Sequence, residues 1–89
     1  MSNASISARV EREVDEVAAG RMNLSDLVRR FAPAIEALEG LPEDKRLEAR
    51  ALRHELELAD EALEEGCAPN LGATLCRVRD YLASLEALQ

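Results

Sequence analysis

Four carboxylates in the middle of the chain are spaced so that they could hold a divalent cation. They belong to two tetrads, Glu36-Ala37-Leu38-Glu39 and Glu57-Leu58-Ala59-Asp60, with 17 residues between them. On a helix, residues three positions apart lie on one side, and magnesium prefers oxygen ligands such as carboxylates. If the tetrads lie on neighbouring helices, the spacing predicts a magnesium site suited to phosphate chemistry.

This order of tetrads, E-x-x-E and then E-x-x-D on the next helix, resembles the metal site of the all-α nucleotide pyrophosphatases of the MazG type. The resemblance covers the two tetrads alone and implies a magnesium-dependent enzyme acting on nucleoside triphosphates. The chain departs from that pattern in three ways. No flanking Lys or aromatic residue is placed to handle phosphate and base, Glu36 and Glu39 fall at a helix end, and Glu57 and Asp60 should face water. We therefore keep this enzyme as an alternative, and we expect no catalytic residue, no metal and no cofactor.

The remaining reactive side chains are few and isolated. His54 is the single histidine, so it lacks a companion for base catalysis or metal binding and is expected to be a partly exposed helix residue. Cys67 and Cys76 lie nine residues apart, which fits neither a redox C-x-x-C motif nor a zinc knuckle. We expect both thiols to be reduced and Cys76 to be half-buried.

The charge balance excludes some partners. Acidic residues outnumber basic ones by 18 to 11, and residues 34–66 carry 11 of the acidic and four of the basic residues. An acidic chain opposes binding to nucleic acid or to anionic lipid, so neither is expected as a partner. The sequence shows no signal peptide and no run of 18 apolar residues, which predicts a cytoplasmic protein that does not span a membrane.

The apolar residues recur at helical spacing along the whole chain. They predict one all-α domain over residues 1–89, a small antiparallel four-helix bundle made of two helical hairpins. The predicted helices cover about residues 6–19, 24–39, 42–65 and 70–87.

Local signals set the ends of these helices. Ser5 or Ser7 can cap the first helix, and Gly20 and Gly66 can close the first and third in the left-handed conformation. Pro33 interrupts the second helix, because an interior proline removes one hydrogen bond and clashes with the preceding turn. The apolar pattern continues in phase past Pro33, which favours a kinked helix over two separate pieces.

The segment from Pro42 to Gly66 is the predicted central helix. It carries two apolar stripes about a quarter-turn apart, so we expect neighbours on two flanks. The first stripe is Leu52, Leu56, Ala59 and Leu63, and the second is Leu47, Ala51, Leu58 and Ala62. The opposite side is charged and should face water; it consists of Arg50, Arg53, Glu57, Asp60, Glu61 and Glu64. Glu48 and Glu55 fall between the stripes, so they either lie in a shallow groove between neighbouring helices or meet Arg residues of another chain, and we expect them to have partners.

The favoured function is a non-catalytic protein–protein interaction module. Within this class the sequence favours a small bacterial-type inhibitor or immunity-like protein whose acidic helix covers a basic site on a partner. The residues predicted to do so are Glu57, Asp60, Glu61 and Glu64. The competing interpretation is that these carboxylates only keep a helical protein soluble. The alternative is a chaperone or adaptor that receives a partner helix in a groove containing Leu71, Leu75 and Val78. Since a core with so few aromatic residues is thin, we also expect a homodimer.

Overall fold

The computed structural model describes residues 2–87, which form four α-helices and no β-strand. The helices are α1 (Asn3–Ala18), α2 (Leu24–Glu36), α3 (Glu43–Glu64) and α4 (Leu71–Glu86). The predicted all-α class is therefore confirmed, and the observed bounds lie within three residues of the predicted ones.

The helices form a four-helix bundle in which each helix packs against two others. The contacting pairs within residues 2–87 are α1 with α2, α2 with α3, α3 with α4, and α1 with α4. Within residues 2–87 the backbones of helices on the diagonals do not approach each other closely, and short connections make successive helices antiparallel. The two predicted hairpins, α1–α2 and α3–α4, are present. The two neighbours predicted for α3 are α2 and α4, but α3 is no more central than the other helices, because every helix has two neighbours.

The core is almost entirely aliphatic. Its largest fully buried side chains are Phe31, Ile6, Leu27, Leu56, Leu82, Val10, Val14 and Val78. Burial of such side chains contributes roughly 25 cal/mol per Å² of apolar surface. Within residues 2–87, no helix combines the length and the apolar character that a membrane crossing would need.

The burial pattern of α3 differs from the prediction. Its buried residues form one narrow stripe of Ala49, Leu52, Leu56 and Ala59. The predicted second stripe is wrong, since Leu47 and Leu58 are 52% and 50% exposed. Both neighbours of α3 lie against the same side of the helix, so the second stripe points out of the bundle.

Glycines close the first helix of each hairpin as predicted. Gly20 and Gly66 have φ angles of 78° and 83°. After α3, the Gly66 N–H donates to the Leu63 carbonyl at 3.1 Å and the Cys67 N–H donates to the Ala62 carbonyl at 2.8 Å. These are the two hydrogen bonds of a Schellman motif, and they satisfy carbonyls that the helix leaves open.

The second helix runs unbroken through Pro33 and ends three residues later at Glu36. A break near Ala32 is therefore ruled out, but the helix stops short of the predicted residue 39. Leu38, two residues beyond the end of the helix, is still buried. The connection is held by Asn3, whose side-chain amide donates to the Glu39 carbonyl at 2.9 Å and accepts from the Glu39 N–H at 3.0 Å.

The first helix begins earlier than predicted. Ser2, and neither Ser5 nor Ser7, is its N-cap, and the Ser2 hydroxyl accepts a hydrogen bond from the Ser5 N–H at 3.1 Å. Ser7 is buried instead. Any of the three serines could have served as a cap from its residue type, so residue type alone did not identify the first turn.

Replacement of Gly66 by Ala tests the role of its backbone conformation. An added Cβ meets no atom within 4 Å at Gly66 or at helical Gly72, so space does not distinguish the two sites. Gly66→Ala should lower the free energy of unfolding by about 1–2 kcal/mol, because left-handed φ is unfavourable for Ala. Gly72→Ala is the matched control and should leave stability unchanged or raised by up to about 1 kcal/mol. Urea unfolding measures both, and equal effects would contradict the assigned role of Gly66.

Candidate functional site

The two acidic tetrads lie at different levels of the bundle. Glu36 ends α2 and Glu39 lies in the connection to α3. Glu57 lies 14 residues into α3, which is about 21 Å from the start of that helix at 1.5 Å per residue. Within residues 2–87, no group of three or more His, Cys, Asp or Glu side chains could hold a metal ion. The site that the pyrophosphatase resemblance requires is therefore not assembled.

The isolated reactive side chains all lie at the surface. His54 is exposed, and both Cys67 and Cys76 are exposed free thiols. The half-buried position predicted for Cys76 is wrong, because this residue lies on the side of α4 that points away from α1 and α3.

Two of the three residues predicted to line a binding groove belong to the core. Leu75 and Val78 are 3% and 0% exposed, and Leu71 packs against the core at its edge. A partner helix could reach Leu75 and Val78 only if the bundle opened. The packing that stabilises the fold therefore occupies the proposed groove.

The groove between α3 and α4 contains the two carboxylates that were predicted to need cations. Glu55 Oε2 accepts a hydrogen bond from Arg77 Nε at 3.0 Å, and Glu48 lies 3.3 Å from Lys45 Nζ. Lys45 also donates to Ser84 Oγ at 3.0 Å. The predicted pairing is confirmed, and its cations come from the same chain.

Tyr81 closes the floor of this groove. Its ring is buried, and its hydroxyl donates to the Lys45 carbonyl at 2.8 Å. Burial disfavours the phenolate, and the nearby Glu48 carboxylate adds to this, so the pKa of Tyr81 is raised to about 12. The groove is thus lined by internal contacts between α3 and α4, and it remains an open depression of about 600 Å³.

The last turns of α3 carry the greatest concentration of unpaired charge. We call Glu57, Asp60, Glu61 and Glu64 the acidic end of α3. No Lys or Arg occurs between Arg53 and Arg77. Within residues 2–87, only Glu57 of this set has an ion pair, with Arg53 at 3.5 Å. Among the residues that the structure describes, no cation therefore pairs with Asp60, Glu61 or Glu64.

The acidic end also opposes the electrostatics of its own helix. The C-terminus of a helix carries partial negative charge, so carboxylates there are unfavourable and cations are favourable. The last turn of α3 has no basic residue, whereas its first turn has the favourable acids Glu43 and Asp44. The sequence places Glu61 and Glu64 where they weaken the helix.

A row of exposed apolar side chains runs beside the acidic end, on the side of α3 that faces away from the bundle. We call Leu47, Ala51, His54 and Leu58 the outer stripe. All four are exposed, and Leu47 and Leu58 are two of the three large hydrophobic residues exposed within residues 2–87, the third being Leu63. Three of these residues, Leu47, Ala51 and Leu58, were predicted to be covered by a neighbouring helix. Their 4-3-4 spacing was visible, but nothing in the sequence indicates that the row is left uncovered.

Comparison with protein-family models, with curated proteins and with solved structures finds no match to this chain. A four-helix bundle hosts many unrelated functions, so the fold alone does not indicate one. The function must be argued from the side chains at the surface of α3.

The raised pKa of Tyr81 predicts how stability depends on alkaline pH. The folded state disfavours the phenolate, so neutral Tyr81 contributes to the free energy of unfolding. This contribution is complete below pH 10 and is lost as the pH rises from about 10 to about 12. Tyr81 is the single tyrosine, so phenolate absorbance reports on it alone. A midpoint near 10 in the folded protein would contradict its burial. Tyr81→Phe should abolish the signal and cost about 1 kcal/mol at neutral pH through the lost hydrogen bond.

The unfavourable placement of the acidic end predicts a gain in stability on charge reversal. Glu61→Lys with Glu64→Lys should raise the melting temperature by about 1–3 °C, because cations suit the C-terminus of α3. The control is Glu43→Lys at the opposite end of the same helix, which should lower it. Both shifts should shrink in high salt. Calorimetry measures the melting temperatures. Shifts of the same sign in the two variants would show that the helix dipole does not decide the effect.

Proposed function

We propose that the protein is a non-catalytic protein–protein interaction module and that the acidic end of α3 binds a basic site on a partner protein. The observation that carries this proposal is the set of carboxylates without cations at the end of α3 where they weaken the helix. Elsewhere the bundle pairs many of its charges internally, as in Glu55 with Arg77 and Asp15 with Arg79. Charges kept at a cost to stability are typical of functional surfaces.

The surroundings of the acidic end suit a protein contact. Leu58 and Leu63 are exposed on the same segment of helix, so apolar side chains lie beside the charges. Protein interfaces combine a few apolar anchors with a polar rim. A rigid helix that presents both requires little ordering when a partner binds.

The class favoured by this surface is a small bacterial-type inhibitor or immunity-like protein that covers a cationic site. Carboxylates attract a basic partner over a distance and speed its association, and they select against acidic partners. The groove-type chaperone has less support, because Leu75 and Val78 are buried. The pyrophosphatase also has less support, since its four carboxylates are not brought together.

Charge reversal with a charge-matched control tests the proposal. The test variant carries Asp60→Lys, Glu61→Lys and Glu64→Lys. The control reverses three carboxylates that are exposed on the other helices and have no ion pair within residues 2–87. They are Glu11, Glu36 and Glu86. The two variants have the same net charge, so a difference in their partner binding reports on where the reversed charges lie.

Capture from a lysate of the native host, at low and at high salt, should recover a basic protein with the wild type and with the control. The test variant should bind that protein on the order of 10- to 100-fold more weakly, and salt should release it from all three. Purified partner and titration calorimetry then give the affinities. Equal affinity for the test variant and the control, or binding that is indifferent to salt, would overturn the proposal.

A further inference from the structure

The outer stripe of α3 has the pattern of a helix–helix seam but no helix packed on it. Leu47, Ala51, His54 and Leu58 are spaced four, three and four residues apart, which is the spacing of side chains that interlock between paired helices. The side chains of Leu47 and Leu58 are 52% and 50% exposed. They lie 11 residues apart, or about 16 Å along the helix axis, so the stripe covers three turns.

We propose that this stripe packs against the same stripe of a second copy of the chain, with the two α3 helices antiparallel about a two-fold axis near Leu52 and Arg53. The inference rests on the proposed function only in taking the outer side of α3 as a contact surface. In this register Leu47 meets Leu58 of the second copy, and Ala51 meets His54 of the second copy. Each leucine then has an apolar partner, and each small residue faces the larger imidazole.

The charges beside the stripe favour the antiparallel arrangement. On the flank towards α2, the first half of α3 is basic, with Arg46, Arg50 and Arg53 along the α2–α3 groove. At helical spacing, the second half of α3 is acidic on the same flank, with Glu57, Glu61 and Glu64. An antiparallel partner places Arg50 opposite Glu57 of the second copy and Arg46 opposite Glu61 of the second copy.

The other flank, towards α4, is acidic in both halves. Glu48 would lie near Glu55 of the second copy. Each of these carboxylates already has a cation from its own chain, Lys45 for Glu48 and Arg77 for Glu55. This internal pairing reduces the repulsion that two bare carboxylates would cause.

The size of the stripe sets the expected strength of the dimer. Contact through three turns of one helix falls below the roughly 1,200 Å² that stable interfaces bury, so the dimer should form and dissociate readily. Because Glu57 and Glu61 take part in both surfaces, a basic partner protein and the second copy should compete for α3. The dimer is then the form of the free protein at high concentration.

Sedimentation equilibrium of the purified chain, over roughly 5–500 µM, tests for the weak dimer. The wild type should change from monomer to dimer across this range. The test variant, Leu47→Gln with Leu58→Gln, should remain monomeric, and circular dichroism should show it folded because both side chains are exposed. Leu63→Gln is the control, since Leu63 is also exposed but lies off the stripe, and it should dimerise as the wild type does.

A charge swap tests the orientation. Arg50→Glu should weaken the dimer at least tenfold, because it places two carboxylates at each contact with Glu57 of the second copy. Adding Glu57→Arg should restore the affinity to within about threefold of the wild type. A wild type that stays monomeric throughout, or a dimer indifferent to the leucine variant, would overturn the inference. If Glu57→Arg does not restore the dimer affinity that Arg50→Glu removes, the antiparallel register is wrong.

The two proposals fail separately in these experiments. A monomer that still loses a basic partner when Asp60, Glu61 and Glu64 are reversed would refute the self-pairing and keep the proposed function. The opposite result is a dimer that depends on Leu47 and Leu58, together with partner binding that is unchanged when the acidic end is reversed. It would refute the proposed function and support the self-pairing.

Discussion

The narrow contact that α3 makes with the bundle constrains the rest of the structure. Only Ala49, Leu52, Leu56 and Ala59 of this 22-residue helix are buried. The two alanines let the backbones of the neighbouring helices approach closely, and the two leucines fill the space between them. Since α2 and α4 both pack on this one stripe, the remainder of α3 must lie at the surface.

This constraint explains why the candidate surfaces are found on α3. A helix that is half-covered can hold charges and apolar residues that a fully packed helix could not accommodate. The acidic end tolerates Glu61 and Glu64 against the helix dipole because neither is buried. The outer stripe keeps Leu47 and Leu58 in water, which costs hydrophobic stabilisation unless another molecule covers them. Both features are understandable as contacts made with other proteins.

The sequence predicted those parts of the fold that depend on local signals. The four helices follow from the apolar spacing, and the left-handed Gly20 and Gly66 follow from the freedom of glycine at helix ends. The pairing of Glu48 and Glu55 with cations was predicted from the cost of burying a lone charge, although Glu48 is exposed and Glu55 is half-buried. The end of α2 was missed, and the connection that follows it is held by a tertiary contact between the Asn3 side chain and the Glu39 backbone.

The surface of α3 could not be predicted in the same way. Its helical wheel carries two apolar stripes, and either could face the core. Which one is covered depends on the positions of α2 and α4, and these positions depend on packing across the whole bundle. Leu75 and Val78 show the opposite error, since they were predicted to bind a partner helix and are buried in the core. An apolar seam that suits a partner helix suits the protein's own core equally well. The same ambiguity concealed the exposure of Leu47 and Leu58.

Methyl-group NMR of the leucines in a dilute solution containing a soluble nitroxide tests the orientation of α3 most directly. The account predicts that the methyl signals of Leu47, Leu58 and Leu63 are strongly broadened by contact with the nitroxide, while those of Leu52 and Leu56 are protected. Protection of Leu47 and Leu58 equal to that of Leu52 and Leu56, in a sample shown to be monomeric, would contradict the account.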